Sequence, residues 1–331
     1  MTTFEAGKAL TEGLASVIRG KDSTLELFTA AFLAGGHVLI NDAPGLGKTT
    51  LAKTLARLVG NPGSSEGTAD FRRIQFTPDL LPYDITGVDV FNPRDQRFEF
   101  IEGPVFCDIL LADEINRTTP KVQSALLEVM AERQVTANGT TRAVSPVFFV
   151  AATQNPVESV GTYPLPAAQL DRFMMQLSLG YPDEESEREI LHEDPAENAL
   201  PRIMPVVSRT DIIASRAEQK EVYCHPELEK TIVSIVRQTR THQAIRLGVS
   251  PRGTLSLLHA ARALALVRGR DWIEDADVLD LAAPVLAHRV LTREDRLEAG
   301  TIVADIAKSN LKRMLRVTDW SREPRPYERK A

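Results

Sequence analysis

The chain has 331 residues, 43% of them hydrophobic and 25% charged, with a formal net charge of −6. That length holds two domains and a real apolar core, and the balance is ordinary for a soluble globular protein. The acidic total disfavours a nonspecific grip on a nucleic-acid backbone, although a local basic groove stays open.

In chain order, MTTFEAGKAL carries an early glutamate and no apolar core, so no secretory signal is expected in it. LFTAAFLAGGHVLI is too short to span a bilayer and contains a Gly-Gly break, so no membrane span is expected. GHVLIND, residues 36–42, predicts a buried strand running into a glycine loop, and TTLAKTLARLVG a helix closed by Gly60. NPGSSEGTAD is a polar surface loop and FRRIQF alternates as a second strand. GVDVFNPRDQRFEFIEG alternates on both sides of NPRD and predicts a hairpin. DILLA, residues 108–112, is a short apolar strand ending in acid. TPKVQSALLEVMAER predicts a helix with Thr119 as cap, Pro120 in the first turn, and Val122, Leu126, Val129 and Met130 on one face. RQVTANGTTRAVS predicts a second hairpin around Asn138-Gly139. VFFVAATQN and MMQLSL are two further strands.

Strands alternating with helices predict an α/β fold, a five-stranded parallel sheet covered on both faces, with the two hairpins as projecting insertions. Beyond about residue 183 the strand signals stop, and helices are expected over roughly 184–194, 209–221, 225–241, 251–269, 274–290 and 295–315. The expected organisation is an αβα nucleotide domain over 1–183, an all-α domain over 184–315 and a frayed, charged tail over 316–331. Cys107 and Cys224 form no metal-spaced cluster and suit a reducing compartment, so a cytoplasmic location is expected.

The first chemistry lies in NDAPGLGKTT, residues 41–50. Asp42, Ala43, Pro44, Gly45, Leu46, Gly47, Lys48, Thr49 and Thr50 form a strand-to-helix loop whose small residues can turn successive N–H groups toward phosphate. In that role Lys48 reaches the β- and γ-phosphates of ATP, and Thr49 holds Mg²⁺. Asp42 stands where the loop pattern calls for glycine. DILLADE then delivers two carboxylates at the C-terminal end of a strand, the edge where open α/β sheets bind ligands. There Asp113 orders Mg²⁺ and Glu114 polarises the attacking water. Asn155 ends another apolar run on the same edge. Its amide can hold that water or sense the γ-phosphate, but by itself it reads more readily as a cap or turn residue. Arg172, in AQLDRF, and Arg252, in GVSPRGT, are the best placed of the arginines to meet developing phosphoryl charge, with surface ion pairing as the ordinary alternative.

Together these stretches resemble the MoxR family of AAA+ ATPases. RIQFTPDLLPYDITG, GPVFCDILLADEINRTTPKVQSALLEVMAERQVT, ATQNPVESVGTYPLPAAQLDRFMM, LGVSPRGTLSLLHAARALAL and APVLAHRV carry the resemblance, which covers roughly residues 10–315. It implies that Lys48 and Thr49 are the Walker A pair, Asp113 and Glu114 Walker B, and Asn155 sensor 1. It implies that Arg172 is the arginine finger and Arg252 sensor 2, and that the hairpins are the helix-2 insert and the pre-sensor-1 hairpin. It also implies a C-terminal lid, ATP with Mg²⁺ at the interfaces of a hexameric homo-oligomer, a protein client, and a von Willebrand factor A domain partner on a separate chain. Arg172 is then expected to act on a neighbouring subunit, with Arg117 as the next candidate for that role, and Arg252 on the chain's own nucleotide. The departure from the family is Asp42, which puts nucleotide affinity in question.

Two rivals follow from the same residues. A nucleic-acid motor is disfavoured by the acidic charge and by hairpins not crowded with lysine. A nonhydrolytic nucleotide-gated assembly factor is disfavoured by Glu114.

Overall fold

Each apolar run ending near a polar residue becomes a strand of one sheet. The computed structural model describes residues 1–62, 67–155, 161–294 and 298–317. Its strands are β1 (Val38–Asn41), β2 (Phe71–Gln75), β3 (Gly87–Asn92), β4 (Arg97–Glu102), β5 (Ile109–Asp113), β6 (Gln134–Ala137), β7 (Thr140–Ala143), β8 (Phe149–Gln154) and β9 (Met175–Leu177). Five of them pair in the order β2-β5-β8-β1-β9, and every pairing is parallel. Parallel neighbours require crossovers, and these place helices on both faces.

Alternation along the strands separates two apolar layers. Val38, Ile40, Ile109, Leu111, Phe149 and Ala151 face one cluster; Leu39, Leu110, Ala112, Val150 and Ala152 face the other. The first layer is covered by α1 (Thr3–Ala15), α2 (Asp22–Leu33) and α3 (Lys48–Leu58), which contribute Leu10, Phe28, Phe32 and Leu55. After the short α4 (Pro82–Thr86), α5 (Pro120–Glu132) covers the second layer with Val122, Leu126, Val129 and Met130, the face its periodicity predicts. Pro120 starts α5 as expected, and Thr119 holds the N-cap position, but its side chain makes no capping bond.

Both hairpins form. β3 pairs with β4 and β6 with β7, each antiparallel. Asn138 and Gly139 take φ of 46° and 76°, the two left-handed residues that a primed two-residue turn demands. The hairpins touch: Asn138 Nδ2 donates to Asp89 Oδ2 at 2.7 Å, and the Arg142 guanidinium sits 3.8 Å from the Phe100 ring centroid.

Beyond β9 come α6's successors. The short α6 (Ala167–Leu170) precedes β9, and α7 (Glu184–Glu193), α8 (Pro195–Asn198), α9 (Arg209–Glu218), α10 (Pro226–Thr241), α11 (Pro251–Val267), α12 (Asp275–Leu286) and α13 (Ala299–Val317) follow it. The six helices expected beyond residue 183 are all present. The helical reading did not anticipate α1, α2, α4, α6 or α8, nor a small antiparallel ribbon, β10 (Ile245–Leu247) with β11 (Leu291–Thr292). Strands of two or three residues lack the length for a recognisable alternation. Residues 318–331, nearly all of the expected tail, lie outside the described residues. Among those described, no helix is long and apolar enough to cross a membrane. Cys107 and Cys224 are free and buried, and burial pushes both thiols up to about 12.

The junction between sheet and C-terminal helices contains a buried histidine. His288 Nε2 lies 3.2 Å from the Phe173 carbonyl and 2.9 Å from Arg289 Nη1, and burial, reinforced by that guanidinium, pushes its pKa down to about 3. His37, buried under the sheet, is lowered in the same direction by burial. The unfolded chain therefore binds more protons than the folded one between the ordinary histidine range and about 3. Stability falls as pH drops through that window. His288 alone predicts a loss of about 2 kcal/mol between pH 7 and pH 5. The urea midpoint is expected to drop over that interval and to drop less in His288→Asn; equal slopes in the two proteins would count against this origin.

Candidate nucleotide site

The loop after β1 opens onto a cavity at the C-terminal edge of the sheet. Gly45 and Gly47 take φ of 86° and 80°. A Cβ on Gly45 would meet nothing within 4 Å, so what demands glycine there is the left-handed backbone rather than space. Gly47 caps α3, whose free N–H groups favour an anion at the cavity mouth. The cavity is about 410 Å³, and Pro44, Gly45, Gly47, Lys48, Thr49 and Thr50 form its loop side. The strand ends supply Arg73, Gln75, Asp113, Glu114 and Asn155 on the other side. Lys48 Nζ donates to the carbonyls of Asp42 (2.6 Å) and Ala43 (3.1 Å). Burial lowers its pKa, opposed by the charges of Asp42, Asp113 and Glu114.

Asp42 itself does not face the cavity. Its carboxylate is directed to the segment after β9, where it accepts from Ser178 Oγ (2.6 Å) and from the N–H groups of Leu179 (2.6 Å) and Gly180 (3.2 Å). The unusual acid therefore leaves the phosphate side of the loop uncluttered. A second cavity, of about 440 Å³, adjoins the loop on the far side and shares Pro44, Gly45, Gly47 and Thr50 with the first, with Leu46 on its rim. Val17 and Ile18, Leu179 to Pro182, and Ile190 and Pro195 enclose it with mostly apolar surface, which suits a planar base next to its phosphates.

The acidic pair is held by side chains the motifs do not include. Asp113 Oδ1 accepts from Thr153 Oγ1 at 2.6 Å, and Oδ2 accepts from Arg73 Nε (3.1 Å) and Nη2 (2.7 Å). Glu114 has φ 56° and ψ 50°, a left-handed conformation unusual for a side chain of its size, with its N–H on Thr153 Oγ1 at 2.8 Å. Its Oε2 accepts from Gln75 Nε2 (2.7 Å) and Arg117 Nη1 (3.0 Å), and Gln75 Oε1 accepts from Arg73 Nη2 (3.0 Å). Arg73 and Gln75 share a face of β2 beside Leu111 and Asp113 of β5. The alternation of FRRIQF hints at that shared face; only the strand order places it next to the acids. Asn155 is 4% exposed and lines the same cavity.

Arg172 and Arg252 are not among the residues lining either cavity. Arg172 Nη1 donates to the Leu127 carbonyl of α5 at 2.9 Å. Arg252 is exposed at the start of α11, behind Ser250, whose Oγ accepts from the Gly253 N–H at 3.2 Å as expected of a cap. The two arginines belong to one neighbourhood. Asp171 Oδ2 accepts from Ser250 Oγ at 3.0 Å, and Asp171 Oδ1 accepts from Arg289 Nε at 2.7 Å.

The match to known proteins is extensive. The family model described as "ATPase family associated with various cellular activities (AAA)" matches residues 37–175, and the AAA lid domain matches 237–308. The chain is 45% identical to the Bacillus subtilis protein YeaC, over 91% of this chain and 92% of that one. It is 41% identical to chaperone MoxR1 of Mycobacterium tuberculosis, over 85% of this chain and 74% of that one. The chain belongs to the MoxR family of AAA+ ATPases. A crystal structure of a candidate ATPase from Cytophaga hutchinsonii superposes on this MoxR-family fold with a TM-score of 0.81 at 36% identity, covering 96% and 95% of the two chains. The matched AAA segment spans every site residue from Asp42 to Arg172, and the matched lid segment contains Arg252.

Nucleotide binding thus belongs to the MoxR family, and the residues present fit both components of a magnesium nucleotide. The loop offers backbone donors and a lysine to phosphate, and Thr49 and Asp113 offer the hard oxygens that Mg²⁺ prefers. Arg73 now holds the outer oxygen of Asp113, so a metal ion using that oxygen must displace the guanidinium.

Proposed function

We propose that this MoxR-family protein hydrolyses ATP with Mg²⁺ and uses the cycle, as a hexameric ring in the cytoplasm, to remodel or mature a protein complex. The supporting observation is the split of charged groups. Lys48, Thr49, Asp113, Glu114 and Asn155 line one cavity, whereas Arg172 is not among its lining residues and bonds the Leu127 carbonyl of α5. In this reading Lys48 binds the β- and γ-phosphates, Thr49 and Asp113 hold Mg²⁺, Glu114 takes the proton of the attacking water, and Asn155 orients that water. Mg²⁺ would neutralise charge on the phosphates when bound. Arg172 serves the neighbour's nucleotide and Arg252 the chain's own, so a lone subunit has an incomplete site. Residues 1–183 act as the nucleotide-binding unit and 184–315 as the lid.

The client is a protein rather than a nucleic acid. Val90, Phe91, Phe98 and Ile101 expose apolar surface on the β3–β4 hairpin, among Asp95, Glu99 and Glu102 as well as Arg94 and Arg97. Such a mixed, apolar surface grips side chains and not a phosphate backbone. A von Willebrand factor A domain protein is the proposed adaptor. The reading is tested with purified protein, ATP and Mg²⁺. Phosphate release that stops on chelation, and a particle of ring mass appearing with ATP, are expected. Folded protein that binds ATP, yet stays monomeric and releases no phosphate, would overturn it.

A further inference from the structure

The first position of the phosphate loop carries a side chain that phosphate binding does not use. Asp42 is 5% exposed, and the three donors to its carboxylate all come from residues 178–180, more than 130 positions away in sequence. Those donors begin the connector from β9 into α7. Leu179, Gly180, Tyr181 and Pro182 of the same connector form a wall of the base-side cavity, and Ile190 of α7 continues that wall. Gly180 has φ of 62°, a left-handed turn that aims its N–H back at the carboxylate. Asp42 also accepts Lys48 Nζ on its backbone carbonyl. One residue is therefore tied at its backbone to the lysine that seeks phosphate, and at its side chain to the wall around the other end of the nucleotide.

We infer that Asp42 is a positioning residue for the adenosine end of the nucleotide: it fixes the 178–182 connector as the wall of the base cavity and makes base binding depend on the phosphate loop. This rests on the nucleotide site proposed above. A carboxylate accepting three bonds, two of them at 2.6 Å from a hydroxyl and a backbone N–H and one at 3.2 Å from a second N–H, is a strong, directional tether, because charge-assisted bonds exceed neutral ones. Glycine at this position leaves those donors without their acceptor and lets the connector drift. Asparagine keeps the shape but has one acceptor oxygen and no charge. Either change loosens the wall without touching the groups that meet phosphate.

The test separates the two ends of the ligand. Affinities for ATP and for inorganic tripolyphosphate are measured by calorimetry on the full chain, for the parent, Asp42→Asn and Ser178→Ala. The serine variant removes one donor from the connector side and leaves the loop unchanged. Asp42→Asn is expected to bind ATP about tenfold more weakly and tripolyphosphate within about twofold of the parent. Ser178→Ala is expected to shift in the same direction by about threefold. Equal losses for both ligands would mean that Asp42 acts only through the loop, and unchanged ATP affinity in both variants would mean that the tether does not shape the base site; either overturns the proposal alone. A parent that binds tripolyphosphate but gains nothing from adenosine overturns the base-site assignment instead, and one that binds neither ligand overturns the nucleotide reading itself.

Discussion

Glu114→Gln is expected to bind ATP as the parent does and, in the proposed hydrolysis, to turn it over about 100-fold or more slowly, as loss of a general base requires. The carboxylate sits at the end of β5 with its oxygen on Gln75 and Arg117, and its backbone is held left-handed by the Thr153 hydroxyl. Glutamine can replace one acceptor oxygen toward these donors, so the local fold survives while the proton acceptor is lost. Phosphate binding is left to the loop, where Lys48 now rests on two carbonyls it would exchange for phosphate oxygens. Lys48→Ala is therefore expected to lose ATP affinity itself. Equilibrium binding alongside single-turnover hydrolysis distinguishes the two variants. Equal loss of binding in both would end this division of labour.

The second large effect concerns the subunit interface. Arg172→Ala is expected to bind ATP nearly normally and to hydrolyse it about 10³-fold more slowly, the scale of an arginine finger. In the single chain its guanidinium is turned onto the Leu127 carbonyl, outside both cavities. Asp171, next to it, bonds Ser250 and Arg289, so the segment bearing Arg172 is braced against the helix start that carries Arg252. In the proposed ring that brace would link Arg172, at the neighbour's nucleotide, to the helix start that carries Arg252. Mixing Arg172→Ala with Lys48→Ala protein should restore part of the activity, because some interfaces then pair an intact Lys48 with an intact Arg172. Arg117, the other candidate, bonds Glu114 of its own chain. If mixed rings form and no activity returns, Arg172 does not act in trans, and Arg117 becomes the residue to test.

Local chemistry was legible directly in the residues. The glycines of the loop, the carboxylates closing DILLADE, the Asn138-Gly139 turn and the periodic helices beyond residue 183 each depend on contacts within a few positions. Backbone φ preference and a stripe repeating every three or four residues are short-range properties, and a single segment displays them in full. Strand order is different. β5 lies between β2 and β8 although both hairpins and α5 intervene along the chain, and only that order brings Arg73 and Gln75 against Asp113 and Glu114. The same holds for Asp42: its position in the loop announced a carboxylate near phosphate, and the fold turned that carboxylate onto Ser178, Leu179 and Gly180. Arg252 could be placed on a helix start from Ser250 and Pro251, but only the fold sets that helix start against Asp171. Burial of apolar layers on both faces of the sheet decides which distant segments meet, and the polar groups at their ends then pair with whatever that packing sets beside them.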